Sequence, residues 1–562
     1  MKILGLSGAL FHDAAACLID GDRIVAMAEE ERFTRRRHAF ESLPENAISF
    51  CLAQAGLQPA EVDVIALGWD ASLAPHLTAI AHYTDRVLAL PEVSQAIAAG
   101  AEVVPIAHHM AHAASAAVSS GWSEAAILVV DGQGEAASTA IGTYRDGRVS
   151  ITRTFGIDLS IGQLYRTMTT LVGLPPFAEG KAMGLAAYGD STTMPELPIV
   201  LTSDGYDFGF ARQGQSCRPD LDRSILAWFD ARGVQPHRIP RHHNVVTGAG
   251  SLNILPPQSA LSLAASVQRA TEDLIVHLAK LATAQAGTAR LAFAGGVALN
   301  CVANGRLCAE GVVDDLYVPP VANDAGTAMG AAQAVALEAG FRPVLDEFGL
   351  GPSLPTQGVR EALDRFGVRF RTLSDAPDWA AHAILDGRIL GWMQGRAEIG
   401  PRALGRRSTI AATQGGRAWS NRINAVKGRE AWRPLAPSLA EEHASAFLEP
   451  GTGSRFMVRS GAVTACGAEA LSACVHVDGS TRAQLVSDDG SPFRRLIDAV
   501  GRMSGVPAVL NTSFNPGGAP IVSTIKDALS AFFTSELDAL VIEDVLVEKD
   551  PVRSPARRTS SD

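Results

Sequence analysis

The chain has 562 residues, more than one core can bury, so two or three domains are expected. Hydrophobic residues make up 47% and charged residues 19%, the balance of a packed globular enzyme, and a net charge of −11 argues against a general nucleic-acid or membrane-surface binder. Apolar runs break well short of the ~18 residues of a membrane span, MKILGLSGAL does not read as a secretory signal, and seven scattered cysteines without a CxxC pair read as reduced cytoplasmic thiols.

MKILGLSG predicts a β-strand that ends at small residues. AAACLIDGDRIVAMAEEER (14–32) predicts a hairpin about a DG turn. The Ala-rich stretch PIAHHMAHAASA (105–116) predicts a helix on which His108 and His112 share one face; His109 points elsewhere. Residues 125–156 repeat the opening plan: a buried strand ends in DGQGE, and a hairpin turns at Asp146-Gly147. Two copies of strand, glycine turn and hairpin suggest a duplicated α/β unit, the plan of the actin/hexokinase-type fold. A long helix is predicted over 260–287. The strands ARLAFAGG and DDLYVPP then each lead into a helix, as in parallel α/β folds. The pattern loosens over 340–375, which divides a domain at 1–345 from a second α/β domain at 355–552. The tail 553–562 reads as disordered.

His108 and His112 can share one ion only if carboxylates join them. Asp131 ends a buried strand and Asp324 lies between a strand and a helix, both where a cleft is expected. Two histidines and two aspartates suit a borderline divalent ion such as Fe(II), Mn(II) or Zn(II); a pair of satisfied structural histidines is the bland alternative. Gly132 and Gly134 in VDGQGE, and Gly295, Gly296 and Asn300 in FAGGVALN, sit directly after strands, where free N–H groups can cradle phosphate. Lys181 and Gly184 in EGKAMGLAAYG add a cation before a glycine-punctuated helix, though a surface lysine explains it as well.

In the second domain, GWMQGRAEIGPRALGRRSTIAA (391–412) sets Arg396, Arg402, Arg406 and Arg407 among glycines and one acid, Glu398. Lys427 and Arg433 follow in NAVKGREAWRPLAPS, Arg482 in VHVDGSTRAQLV, and Asn511, Thr512, Ser513 and Asn515 in LNTSFNPGGAPIV. Cations alternating with Gly, Pro and Trp suggest a pocket for a small anionic substrate.

These stretches, with FHDAAACL and AEEERFTRRRH, run in order from residue 1 to about 550. Together they resemble the O-carbamoyltransferase family of antibiotic and nodulation-factor biosynthesis. The resemblance implies an N-terminal domain like the ATPase subunit of tRNA threonylcarbamoyladenosine synthesis and a YrdC-like C-terminal domain. It implies carbamoyl-adenylate formation from carbamoyl phosphate and ATP, with Mg2+, in the C-terminal domain at Arg402, Lys427, Arg433 and Arg482. It implies transfer to a hydroxyl of a small natural product in the N-terminal cleft, with His108, His112, Asp131 and Asp324 holding Fe(II) or another divalent metal. His12 matches a histidine proposed as base, Asp13 would orient it, and an ordinary histidine is largely neutral at pH 7–8. His38 is a candidate phosphate contact. The stretch 190–255 would shape the acceptor pocket, so the acceptor stays open, as do the metal and the oligomer, a homodimer included. A tRNA-modifying enzyme and a small-molecule kinase on the actin-like fold are the rival readings.

Overall fold

A computed structural model describes residues 1–210, 218–237, 255–354 and 358–549. The tail expected at 553–562 lies outside the described residues, as do parts of 190–255. The first sheet has β1 (Lys2–Leu6) at its centre. A hairpin, β2 (Ala15–Asp20) and β3 (Arg23–Glu29), pairs antiparallel on one side of it. On its other side, β4 (Val64–Leu67) and β5 (Glu102–Pro105) run parallel. The order is β3-β2-β1-β4-β5. The second sheet repeats it as β8-β7-β6-β9-β10, from β6 (Glu124–Val130), β7 (Ala137–Arg145), β8 (Arg148–Gly156), β9 (Arg290–Ala294) and β10 (Asp315–Tyr317). The duplicated α/β plan of the actin/hexokinase type is therefore present in both sheets. The β7–β8 hairpin turns at Asp146 (φ 52°) and Gly147 (φ 73°), the left-handed pair that a two-residue hairpin needs.

Two small-residue helices, α1 (His108–Ser119) and α3 (Gly326–Glu338), pack on one another, and a long helix, α2 (Gln258–Ala286), lies between them in sequence. α3 covers the first sheet and α1 the second. The approach is close enough to require glycine. A Cβ on Gly330 would stand 1.8 Å from the Ala111 carbonyl oxygen, and one on Gly5 of β1 would stand 1.9 Å from that of Ala328. The alanines that weaken a helical amphipathic signal are thus what lets two helices fit between two sheets.

The C-terminal part is built on an eight-stranded mixed sheet. Leu390–Met393 and Arg407–Ala411 lie near its centre, with Ala508–Ser513 and Ala436–Ala440 following on one side. The two parts meet over a broad seam. Asn304 donates to the Val458 carbonyl at 2.8 Å, and a Cβ on Gly305 would stand 1.8 Å from the Ser460 carbonyl oxygen. The loosely patterned stretch after residue 340 is held to both sides: Met27 N–H donates to Leu350, and Gly351 N–H to Ala397.

Candidate active site

The carboxyl ends of the parallel strands β1, β5, β6 and β10 lead into the loops that meet here, the side on which open α/β sheets bind ligands. β1 leads to His12, β5 to the start of α1, β6 to Asp131 and β10 to the loop holding Asp324. His108 Nε2 stands 3.2 Å from Asp131 Oδ2 and 3.8 Å from Asp324 Oδ1. His112 Nε2 stands 3.8 Å and 3.7 Å from the same oxygens. One donor atom from each of the four residues lies within 4.8 Å of every other, and all four residues are buried. Burial disfavours the charged carboxylate of Asp131, but the hydrogen bond from His108 and the nearby His112 outweigh it and hold that group well below the usual range. Gly296 N–H donates to Asp131 Oδ1 at 3.0 Å, and Glu135 accepts from the N–H of His108 at 3.0 Å, placing a carboxylate at the N-terminus of α1. The donor set therefore fits a borderline divalent ion.

Beside this cluster, Asp13 bridges two histidines. Its Oδ2 lies 3.1 Å from His12 Nδ1 and its Oδ1 lies 2.9 Å from His38 Nδ1. His12 Nε2 is left facing Asp324 at 3.7 Å. Phe11, Asp13, His38, Ala39 and Glu41 all carry positive φ, and the two loops are zipped by Asp13 N–H to His38 at 2.7 Å and Glu41 N–H to Phe11 at 2.9 Å. Strain concentrated in this way marks a site whose side chains are aimed by their surroundings. Phe177 packs against both imidazoles, at 5.0 Å from each ring. Burial lowers the affinity of His12 for a proton, but Asp324 and Asp13 more than reverse it and raise its pKa to about 9. The expectation of an ordinary neutral histidine does not hold, because two carboxylates face the ring.

A second cluster lies in the C-terminal part. Glu398, buried, accepts from the N–H groups of Leu404 at 2.7 Å and Arg407 at 3.3 Å, which curls the GPRALGRRS loop around it. Arg402 leaves this loop toward Arg482, Arg433 and Arg37, and burial and then Arg482 push its pKa below the ordinary guanidinium value. The Nε atoms of Arg402 and Arg482 are buried with no hydrogen-bond partner. Lys427 is buried, and its ammonium donates to the Ser513 carbonyl and to Asn515 Oδ1 at 3.1 Å. Burial first, then Arg429 and Arg433, pushes its pKa down. Asn511 Nδ2 is shared among Ala403, Ser438 and Gln484, while its Oδ1 is buried and unpartnered. Thr512 accepts from Arg429 at 3.4 Å, and Ser513 donates to Asn515 at 2.6 Å.

The family described as carbamoyltransferase N-terminus matches residues 2–99 and 97–333, and carbamoyltransferase C-terminus matches 381–549. The chain is 35% identical to nodulation protein NolNO of Sinorhizobium fredii over 98% of its own length and 83% of that protein. It is 35% identical to nodulation protein NolO of Bradyrhizobium diazoefficiens over 79% of each. The chain belongs to the carbamoyltransferase family. Among solved structures, component A of (R)-2-hydroxyglutaryl-CoA dehydratase from Acidaminococcus fermentans aligns with a TM-score of 0.34 at 13% identity, over 60% of this chain and 99% of that one. ROK hexokinase from Thermus thermophilus aligns with a TM-score of 0.31 at 19% identity, over 60% and 99%.

Not every residue singled out in this carbamoyltransferase joins the two clusters. Arg396 donates to the carbonyls of Gly351, Val25 and Leu350, and the fully buried Arg407 donates to Gln394, Arg406, Pro352 and Gly395. Arg406 pairs with Glu347 at 3.3 Å. Of that arginine run, only Arg402 enters the pocket. Lys181 crosses the seam to Glu430 at 2.8 Å, beside Arg433, and Gly184 lies against Pro434. Asn300 caps the helix Cys301–Ala309 through Ala303 N–H at 3.1 Å and pairs with Gln268. Gly295 sits where a Cβ would stand 2.2 Å from the Val130 carbonyl oxygen, and Gly134 where a Cβ would stand 2.6 Å from His109 Nδ1. These two glycines make room for protein atoms. A Cβ on Gly132 would meet nothing within 4 Å. Glu135, Arg37 and Arg429 were passed over in the sequence although each lies inside a motif that drew attention. For Glu135 and Arg429 the signal is a charge within a glycine-punctuated segment that already holds a candidate ligand, and for Arg37 it is the basic run RFTRRRH beside His38.

Proposed function

We propose that this carbamoyltransferase makes carbamoyl-adenylate in the arginine pocket and transfers its carbamoyl group to a hydroxyl of a small-molecule acceptor in the histidine–aspartate cleft. The observation that carries the reading is a group of cations short of counter-ions: Arg402, Arg433, Arg482 and Lys427 crowd one pocket, and two of the guanidinium Nε atoms are buried and unpartnered. Phosphate oxygens of ATP and carbamoyl phosphate would complete them, and Arg presents the fork geometry for it. In the first step water opens carbamoyl phosphate, phosphate leaves, and a carbamate oxygen attacks the α-phosphorus of Mg2+-bound ATP as pyrophosphate departs. In the second, the acceptor hydroxyl attacks the carbamoyl carbon and AMP leaves. Housing both steps in one chain protects the labile mixed anhydride from water.

A hydroxyl is a weak nucleophile near pH 7 and needs a base. His12 fits that role because Asp13 fixes its Nδ1 and leaves Nε2 toward the cleft. It accepts the proton only when neutral, and the carboxylates oppose that state. His108, His112, Asp131 and Asp324 would hold a divalent metal, which as a Lewis acid polarises a carbonyl or phosphoryl oxygen and offsets the charge of Asp324 beside His12. Phe177 and Phe40, with ring centroids 4.8 Å apart, pack against His12 and His38 and shield part of each ring from water.

Mass spectrometry of hydroxylated compounds incubated with the enzyme, ATP and carbamoyl phosphate tests the reading. The expected result is pyrophosphate release that requires carbamoyl phosphate, and one acceptor heavier by a CONH unit. Release of ADP with a phosphorylated acceptor would replace the reading with a kinase, and a modified tRNA with a tRNA-directed enzyme.

A further inference from the structure

Arg402 lies in the pocket of the first proposed step and His38 contacts Asp13, which orients the base of the second, yet a continuous row of hydrogen bonds joins the segments that carry them. Gly400, two residues before Arg402, donates its N–H to Glu29 Oε1 at 2.8 Å and accepts from Arg32 Nη2 at 2.7 Å. Arg32 Nη2 also reaches Glu29 Oε1 at 3.1 Å, and Arg32 Nη1 reaches Glu31 Oε1 at 3.0 Å. The other oxygen of Glu31 accepts the N–H of His38 at 2.7 Å. From His38 the row continues through Asp13 to His12 at 2.9 Å and 3.1 Å.

Both ends of this row hold unusual backbone. Gly400 has φ +89°, and a Cβ there would stand 2.0 Å from the carbonyl oxygen of Pro320, in the loop that carries Asp324. His38 has φ 61° without being glycine. Such conformations persist only where neighbours over-determine them. Glu29 and Arg32 are buried charges, and a buried ion pair brings little net stability compared with apolar packing. Here each charge is divided between a partner charge and a backbone group of a functional loop. Their arrangement therefore serves to fix two loops in one relation.

We propose that Glu31 and Arg32 are positioning residues that couple the two half-sites. They hold the Arg402 loop and His38 in one geometry, so that an intermediate formed in the arginine pocket meets a correctly aimed His38–Asp13–His12 row. The proposal rests on the two-step reading above.

Glu31→Gln keeps shape but replaces one of two occupied acceptor oxygens with a donor. Arg32→Lys keeps charge but cannot reach Gly400, Glu29 and Glu31 together. The expected result for both variants is pyrophosphate release near the parent rate with carbamate formed per pyrophosphate falling about tenfold, the effect of one lost charge-assisted hydrogen bond, as the adenylate escapes to water. A merely structural role would lower both steps together and leave the ratio at the parent value, and that outcome overturns the proposal. A second readout needs no turnover. In histidine-labelled protein the ring resonance of His38 is expected to shift when inorganic pyrophosphate is added to the parent, and the shift should be lost in both variants. A parent that shows the shift but releases no pyrophosphate from ATP and carbamoyl phosphate sinks the functional reading and keeps the coupling. A parent that releases pyrophosphate while His38 stays silent sinks the coupling alone.

Discussion

His108 and His112 point their Nε2 atoms at one another across 3.1 Å. At that separation one nitrogen donates and the other accepts, although Asp131 and Asp324 stand close enough to compete for both. A divalent cation removes the conflict, because all four groups then present lone pairs to it. His112→Ala is expected to lose metal, measured by elemental analysis of the purified protein, and to lose carbamoylation of the acceptor. Pyrophosphate release should survive, since the arginine pocket shares no ligand with the cluster. Parent metal content in both His112→Ala and Asp131→Asn would remove the assignment.

Arg402 is held among like charges with a buried, unpartnered Nε, an arrangement the fold tolerates for the sake of a ligand. Arg402→Met should raise the thermal midpoint of the ligand-free protein. It should also slow pyrophosphate release by at least about tenfold, the worth of a charge-assisted contact to phosphate. ATP should stabilise the parent against heat and stabilise the variant far less, because only binding to the folded state moves the midpoint. A variant that keeps the parent response to ATP would place the phosphates elsewhere.

The duplication was legible because it is written in short-range signals: a buried strand followed by a DG turn, twice, and the structure repeats the order in both sheets. The His–His spacing and the two strand-end aspartates were legible for the same reason, since helix period and strand ends are local properties. The arginine run was not. Arg396, Arg402, Arg406 and Arg407 look equivalent in sequence, and what separates them is which carbonyls and carboxylates the distant segment 347–352 and the strand-end residues 394–395 present to each once the chain folds. The raised proton affinity of His12 was hidden in the same way, because Asp324 reaches it from far along the chain. Asn300 read as a ligand group and is a helix cap paired to Gln268, a partner on α2 that no local pattern reveals.

His12→Ala is expected to slow transfer to the hydroxyl by roughly 10²–10⁴-fold, the range for loss of a general base. The two half-reactions should be measured separately, with preformed carbamoyl-adenylate supplied for the second. Pyrophosphate release should stay near the parent rate. Parent-rate transfer in the variant would eliminate His12 as the base. Loss of both steps with a lowered thermal midpoint would assign the residue to the fold of its strained loop.

Gly134 offers a test of the metal cluster that touches no ligand. A Cβ at this position would lie 2.6 Å from Nδ1 and 2.7 Å from Cε1 of His109, closer than any real contact, so the ring must move. His109 is buried on α1 between the two ligand histidines, and burial, with His108 next, lowers its pKa to about 3. The ring is neutral at any ordinary pH and acts as packing. Displacing it pushes on the first turn of α1, whose N-terminal N–H is held by Glu135, one residue beyond Gly134. Gly134→Ala should therefore cost on the order of 1–3 kcal/mol of stability, as overpacking does, and weaken metal binding even though all four ligands remain. Titration of the metal-free protein with Fe(II) or Mn(II) measures the second effect. The double variant Gly134→Ala, His109→Ala removes the clash and should recover much of the lost affinity. Affinity that stays low in the double variant would mean that Gly134 acts through its own backbone in the VDGQGE turn.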